Sequence, residues 1–265
     1  MATLRRLFVP THPGRRSPTF GARHLHHDNA ISDGQNGVAA FLLGHLLEKN
    51  TFPLVSGFTP YTAAQWAVTS TGTSAAQAQA ATAGGGILLT TGSTSTFYSG
   101  LQSAAKVTPA AGKRYNFVCR AQVSHATQIG FNFGFGNTQA DPTNNEYTDF
   151  VGFRKAPTSA DVKGTIIGNG SGVPVQSSAL LTVTAATEFE LGMTFVLGAT
   201  AAECSGSWWV NGTETQFASV TGALDEIVKL LTTAPTTFGL TLFCTGTSGN
   251  NPTCTITSCL AEVDN

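Results

Sequence analysis

The chain has 265 residues, 11% of them charged, and a formal net charge of -1. That length buries a substantial core without help from metals or disulfides, and no apolar run reaches bilayer-spanning length, since the strongest, residues 38–47, is interrupted by Gly44 and His45. With 29 glycines and few charges the surface is hydrogen-bonding but weakly self-repelling, a composition suited to packing against neighbours.

Charge is distributed unevenly along the chain. Arg5, Arg6, Arg15, Arg16 and Arg23 stand within the first 27 residues beside His12, His24, His26 and His27, and no acid precedes Asp28. Residues 28–265 keep nine Lys/Arg against all 15 Asp/Glu, so a cationic leader precedes an acidic body. Pro10, Pro13 and Pro18 and the lack of periodicity predict an extended arm over 1–32, without a core of its own. The five arginines are its candidate partner-binding residues. The basic, acid-free start also imitates an organelle transit peptide. His24, His26 and His27 have no neighbouring Cys and no fixed geometry, so they read as pH-dependent positive charge and not as a metal site.

Ser32 or Asp33 can cap a helix running to about Lys49, because Val38, Phe41, Leu42, His45, Leu46 and Lys49 recur at helical spacing. Phe41, Leu42 and Leu46 form its candidate partner-binding face. Asn50 and Pro53 end it, so 33–64 reads as a short helix and linker ahead of a domain over 65–265. The segment TSTGTSAAQAQAATAGGG at the start of that domain is low in complexity but not a solenoid repeat.

Ten β-type runs follow, separated by Gly, Asn, Pro and Ser clusters: GILLTT, YNFVCRAQVS, IGFNFGFG, DFVGFRK, GTIIGNG, ALLTVT, FELGMTFVL, SWWVNGT, FGLTLFCTG and CTITSCLAEV. Their spacing predicts an antiparallel sandwich. Phe131, Phe133 and Phe135 share one strand face and belong to a core or sheet interface. Asn211-Gly212 predicts a two-residue hairpin turn, since both residues tolerate the positive φ of type I′. Residues 222–231, GALDEIVKLL, predict the one helical insertion of the body.

Candidate chemistry is sparse. A polysaccharide-cleaving sandwich needs clustered carboxylates on one strand face; Glu188 and Glu190 share a face but nothing joins them. His125 lies beside Ser124 without a Ser/His/Asp arrangement or a nucleophile elbow. Asp141, Asn144, Glu146 and Asp149 are hard oxygen groups of the kind calcium takes, on a spacing that is not an EF-hand and that equally makes an Asx-rich turn. Cys119, Cys204, Cys244, Cys254 and Cys259 form an odd set without CxxC spacing. Cys244 and Cys254 either face each other across a hairpin or are small buried thiols in strands. Adjacent Trp208 and Trp209 put one indole inside and one outside a sheet, where it can stack on a sugar or bury in a subunit contact. No catalytic residue, metal ligand or cofactor is assigned, and the chain reads as non-enzymatic.

GGGILLTTG, KVTPAAGKRYNFVCRAQVS, FNFGFGN followed by DFVGFRK, FELGMTFVL and WWVNGTE together resemble the concanavalin A/laminin-G-type jelly rolls in structural proteins of tailed bacteriophages, over about residues 65–263. A basic arm and helix ahead of such a domain is similar to capsid decoration, or cement, proteins. The resemblance implies a virion protein on the capsid surface, its arm anchored on the major capsid protein and its sandwich self-associating as a dimer or trimer. Fold alone does not dictate that role, and a glycan-binding module of a tail spike or fibre is the alternative. No membrane partner is expected. Nor is nucleic acid, because the body brings no basic patch to extend the arm's phosphate-type contacts.

Overall fold

The computed structural model describes residues 63–72, 74–80, 86–92, 97–137, 149–168, 173–231, 237–247 and 251–264, all within one compact unit, Thr51–Asn265. The basic arm with Arg5, Arg6, Arg15, Arg16 and Arg23, and the helix with Phe41, Leu42 and Leu46, lie outside the described residues, as do Asp141, Asn144 and Glu146.

Among the described residues fourteen strands build the domain: β1 (Trp66–Thr71), β2 (Ala75–Gln79), β3 (Ile87–Thr91), β4 (Tyr98–Ser103), β5 (Arg114–Val123), β6 (Ile129–Gly136), β7 (Phe150–Lys155), β8 (Asp161–Ile167), β9 (Val175–Thr182), β10 (Glu188–Val196), β11 (Ser205–Val210), β12 (Thr213–Gln216), β13 (Gly239–Gly246) and β14 (Thr253–Asp264). A front sheet runs β1-β4-β13-β6-β7-β8-β9 and a back sheet β12-β11-β10-β5-β14-β3-β2, with antiparallel pairing throughout. The chain passes repeatedly from one sheet to the other, β4 to β5 and β13 to β14 being two such crossings, which is the path of a jelly-roll sandwich. All ten runs predicted from sequence are strands. The four unpredicted ones are β1, β2, β4 and β12, three of which form sheet edges.

Strand alternation builds the core. Phe131, Phe133 and Phe135 of β6 point to the back sheet, where Tyr115 and Phe117 of β5 meet Phe195, Leu191 and Met193 of β10. Tyr115 stacks on Phe195 with ring centroids 4.6 Å apart and meets Phe135 edge-on at 5.7 Å, the offset and tilted geometries that aromatic quadrupoles favour. The helix α1 (Ala223–Val228) covers an end of this core, burying Ala223, Glu226 and Ile227. Glu226 is fixed there by the Gly168 N–H at 2.8 Å and the Lys229 ammonium at 2.5 Å. At the β11–β12 turn Asn211 and Gly212 have φ of 48° and 83°, the left-handed pair a type I′ hairpin requires.

Candidate binding face

The two tryptophans of β11 occupy opposite sides of the back sheet. Trp208 points inward and is wholly buried, its ring 4.1 Å from that of Phe217. It reaches across the sandwich to β8, where a side chain on Gly164 would stand 2.3 Å from the indole. Gly164 is therefore the residue that lets the front sheet close over Trp208. Both alternatives for an outward tryptophan fall on Trp209, which is paired with Gly192 of β10 and stands outside the core cluster.

Register extends Trp209 into a row. Gly192 is opposite both Trp209 and Val118 of β5, and Val118 is opposite Leu260 of β14, so one apolar band crosses four strands on the outer face. Trp209 is only 8% exposed, and Val118 and Leu260 are buried too. A sugar stacks on an open ring face, and the indole of Trp209 is largely covered.

Polar rows border the band. On one side Arg120 Nε donates to Glu190 Oε2 at 2.9 Å, and Glu188 Oε2 accepts from Thr257 Oγ1 at 2.9 Å. On the other, Thr194 Oγ1 donates to Asn116 Oδ1 at 2.7 Å and Asn116 Nδ2 donates to Glu262 Oε1 at 3.1 Å. Ser207 Oγ donates to Glu214 Oε1 at 2.7 Å beside Trp209. Glu188 and Glu190 share a face, as their spacing predicts; Glu190 is engaged by the adjacent β5 and Glu188 by β14, one strand further on. Ser124 Oγ and His125 Nδ1 lie 2.9 Å apart at an exposed turn, where Ser124 Oγ also accepts from the Thr253 N–H.

The front sheet shows the same closure. β6 and β13 are buried at every residue, outward positions included. Asn132, Thr241 and Phe243 lie on that outward side, with Phe243 tilted against Tyr98 at 5.4 Å and Gln102 Nε2 donating to Gly136 O at 3.1 Å. At the end of β6, Asn137 and Asp149 hold each other through two hydrogen bonds of 3.2–3.3 Å.

Between the sheets lies a group of side chains whose chemistry the sequence did not reveal. Lys155 of β7 points into the core at 1% exposure, because its Cα partner is Phe131. Its ammonium donates to the carbonyls of Ile129 and Ala156. Burial lowers its pKa to about 8, the nearby Cys244, Cys254 and Asp161 opposing that shift only in part. Cys119 and Cys259 are opposed across β5 and β14, and Cys254 stands close enough to Cys244 to act on its thiol. Burial pushes the Cys119 and Cys244 thiols well up. The hairpin alternative for Cys244 and Cys254 is corrected: β13 and β14 belong to different sheets, so the thiols meet through the core. All five cysteines are buried and unbridged. Among the described residues no three His, Cys, Asp or Glu side chains converge as metal ligands.

No family model matches the chain, and no curated protein matches it. Among solved structures it is similar to the carbohydrate recognition domain of Emp47p, with 11% identity, a TM-score of 0.49, and 80% of this chain and 93% of that one covered. A glycosyl hydrolase family protein from Mycobacterium fortuitum shares 10% identity over 82% of this chain and 97% of its own, with a TM-score of 0.48. The Crh5 transglycosylase shares 12% identity over 81% and 86%, with a TM-score of 0.47. These are likenesses of chain trace, and the sandwich assignment rests on the two sheets described above.

Proposed function

We propose that this chain is a non-enzymatic assembly block, its jelly roll packing against protein surfaces while its arginine-rich leader engages an acidic one. The supporting observation is the charge asymmetry of the sequence: five arginines and no acid precede Asp28, while residues 28–265 keep nine Lys/Arg against 15 Asp/Glu. Composition supports the same reading, because 11% charged residues leave little repulsion between copies. Decoration of a viral capsid is the setting that fits best. There, five arginines ahead of a net-acidic body give an arm for the major capsid protein, and many weak attachments on a lattice multiply into avidity.

The test is co-sedimentation of the full chain, and of a chain lacking residues 1–32, with capsid shells devoid of decoration. The full chain is expected to pellet with the shells, and the shortened chain to stay in solution. Equal binding by the two would remove the arm from the reading. Saturable binding of the full chain to an immobilised glycan, lost on substituting an aromatic of either sheet face, would replace assembly with carbohydrate recognition.

A further inference from the structure

The four thiols between the sheets are arranged as two pairs. Cys119 and Cys259 are direct partners in the β5–β14 ladder and both point inward. Opposed residues of antiparallel strands have Cα atoms about 4.5–5.5 Å apart, inside the roughly 4.4–6.8 Å that a disulfide spans. Cys254 stands close enough to Cys244 to act on its thiol, the two residues coming from opposite sheets. Cys204 is different: its thiol is held 3.2 Å from the Gly198 N–H, at the start of β11.

We propose that Cys119–Cys259 and Cys244–Cys254 are latent disulfides, one locking two strands of the back sheet and the other stapling the two sheets together, with Cys204 remaining a thiol. The oxidant is a low-molecular-weight disulfide such as oxidised glutathione. A cysteine thiolate attacks one sulfur of that disulfide, whose S–S bond breaks and releases one thiol, leaving a mixed disulfide on the protein. The partner thiolate then attacks the protein-bound sulfur, forms the internal S–S bond and expels the second thiol. Each pair gives up two electrons, and its two protons leave with the two released thiols.

Burial fixes when this happens. In the closed sandwich all four sulfurs are sealed and burial pushes the Cys119 and Cys244 thiols up, whereas the thiolate is the attacking species. Exchange therefore takes place before the sheets close, and the redox state met during folding is preserved afterwards. The Cys119–Cys259 bridge encloses more than half of the chain, so it restricts the unfolded state more than the short Cys244–Cys254 loop does.

The experiment refolds the reduced full chain in oxidised or in reduced glutathione, blocks free thiols with iodoacetamide, and maps tryptic peptides without reduction. Cys119 lies alone in residues 115–120, Cys204 in 164–229, and the other three in 230–265. The oxidised sample is expected to link 115–120 to 230–265 through Cys259, with Cys244 and Cys254 two hydrogens lighter and Cys204 alkylated. Its urea midpoint should lie above that of the reduced sample. Chain folded first and then exposed to oxidised glutathione should remain unbridged for as long as it stays folded. Links to Cys204, an unlinked 115–120 peptide after oxidative refolding, or ready bridging of the folded chain would each overturn the proposal. Cys204→Ala provides the control, since it should leave both bridges unchanged.

Discussion

The two halves of the core solve the same packing problem with different chemistry. One half is aromatic: Tyr115, Phe135, Phe195, Phe238, Trp208 and Phe217 interlock at centroid spacings of 4.1–6.5 Å. The other holds Phe131 among four thiols and a lysine. Large rings contribute much buried area but tolerate little change of shape, whereas thiols are small and polarisable and the lysine stem is flexible. Stability is therefore expected to be concentrated in the aromatic half, and sensitivity to pH and redox state in the thiol half.

Trp208→Ala is the strongest way to break this comparison. It removes a wholly buried indole lodged between Phe217 and Gly164, a change that costs about 3–5 kcal/mol. Urea unfolding should show that loss. Cys244→Ala, at an equally buried position of the other half, should cost far less. Comparable losses at the two sites would dissolve the distinction.

Lys155→Met probes the thiol half through pH. The folded-state pKa is about 8 against an ordinary lysine value of 10.5, so the folded chain resists protonation that the unfolded chain accepts. The cost of burying the ammonium is fully present below pH 8 and fades as pH rises to about 10.5. Wild type should accordingly gain on Lys155→Met across that window, by on the order of 3 kcal/mol from the size of the shift. The raised thiols act in the opposite sense, since stability they provide is lost as pH rises. Taking the difference between the two proteins at each pH isolates the lysine. A difference that does not change with pH would show that the Lys155 ammonium titrates in the folded chain as it does in the unfolded one.

The aromatic half was largely legible in the sequence. FNFGFG announced its inward phenylalanines by alternation, and Asn211-Gly212 its hairpin by turn chemistry. The edge strands were not, because β1 reads WAVTST and β2 AAQAQ, runs without an alternating apolar face to bury. Lys155 was hidden for a related reason. DFVGFRK shows a strand, but nothing in it says that register with Phe131 turns the lysine inward and leaves Arg154 on the outer side. The cysteine pairs depend on strand order, and a crossing from β13 in one sheet to β14 in the other looks like a hairpin in a linear reading. For the binding face, the adjacency of Trp208 and Trp209 on one strand showed that one tryptophan points outward; how far it is covered depends on packing that local patterning does not encode.

The outer face offers a milder comparison between neighbours on one strand. Trp209 rests on Val118 over the space left by Gly192, so Trp209→Ala loses contact area without opening a core cavity. A cost of about 1–2 kcal/mol follows, from partial loss of the 1.5–3 kcal/mol typical for burying a large apolar side chain. Equilibrium unfolding of Trp208→Ala and Trp209→Ala side by side would measure the contrast. If the outer substitution proved the costlier, the band across β11, β10, β5 and β14 would be a second core and not a packing surface.

The smallest expected effect lies at the border of that band. Arg120 and Glu190 form a single 2.9 Å contact with both side chains about a third exposed, and such pairs contribute about 0.2–1 kcal/mol because water and salt screen them. Arg120 also has other interactions, so a single substitution would mix several losses. A double-mutant cycle with Arg120→Met and Glu190→Gln removes that ambiguity, since only the pairwise coupling survives the subtraction. The coupling should fall within the stated range at low salt and shrink by 0.5 M sodium chloride, where the Debye length is about 4 Å. A coupling that persists in salt would mean the pair is shielded from solvent, and the packing surface would then extend beyond the Trp209 row to include the charged ladder beside it.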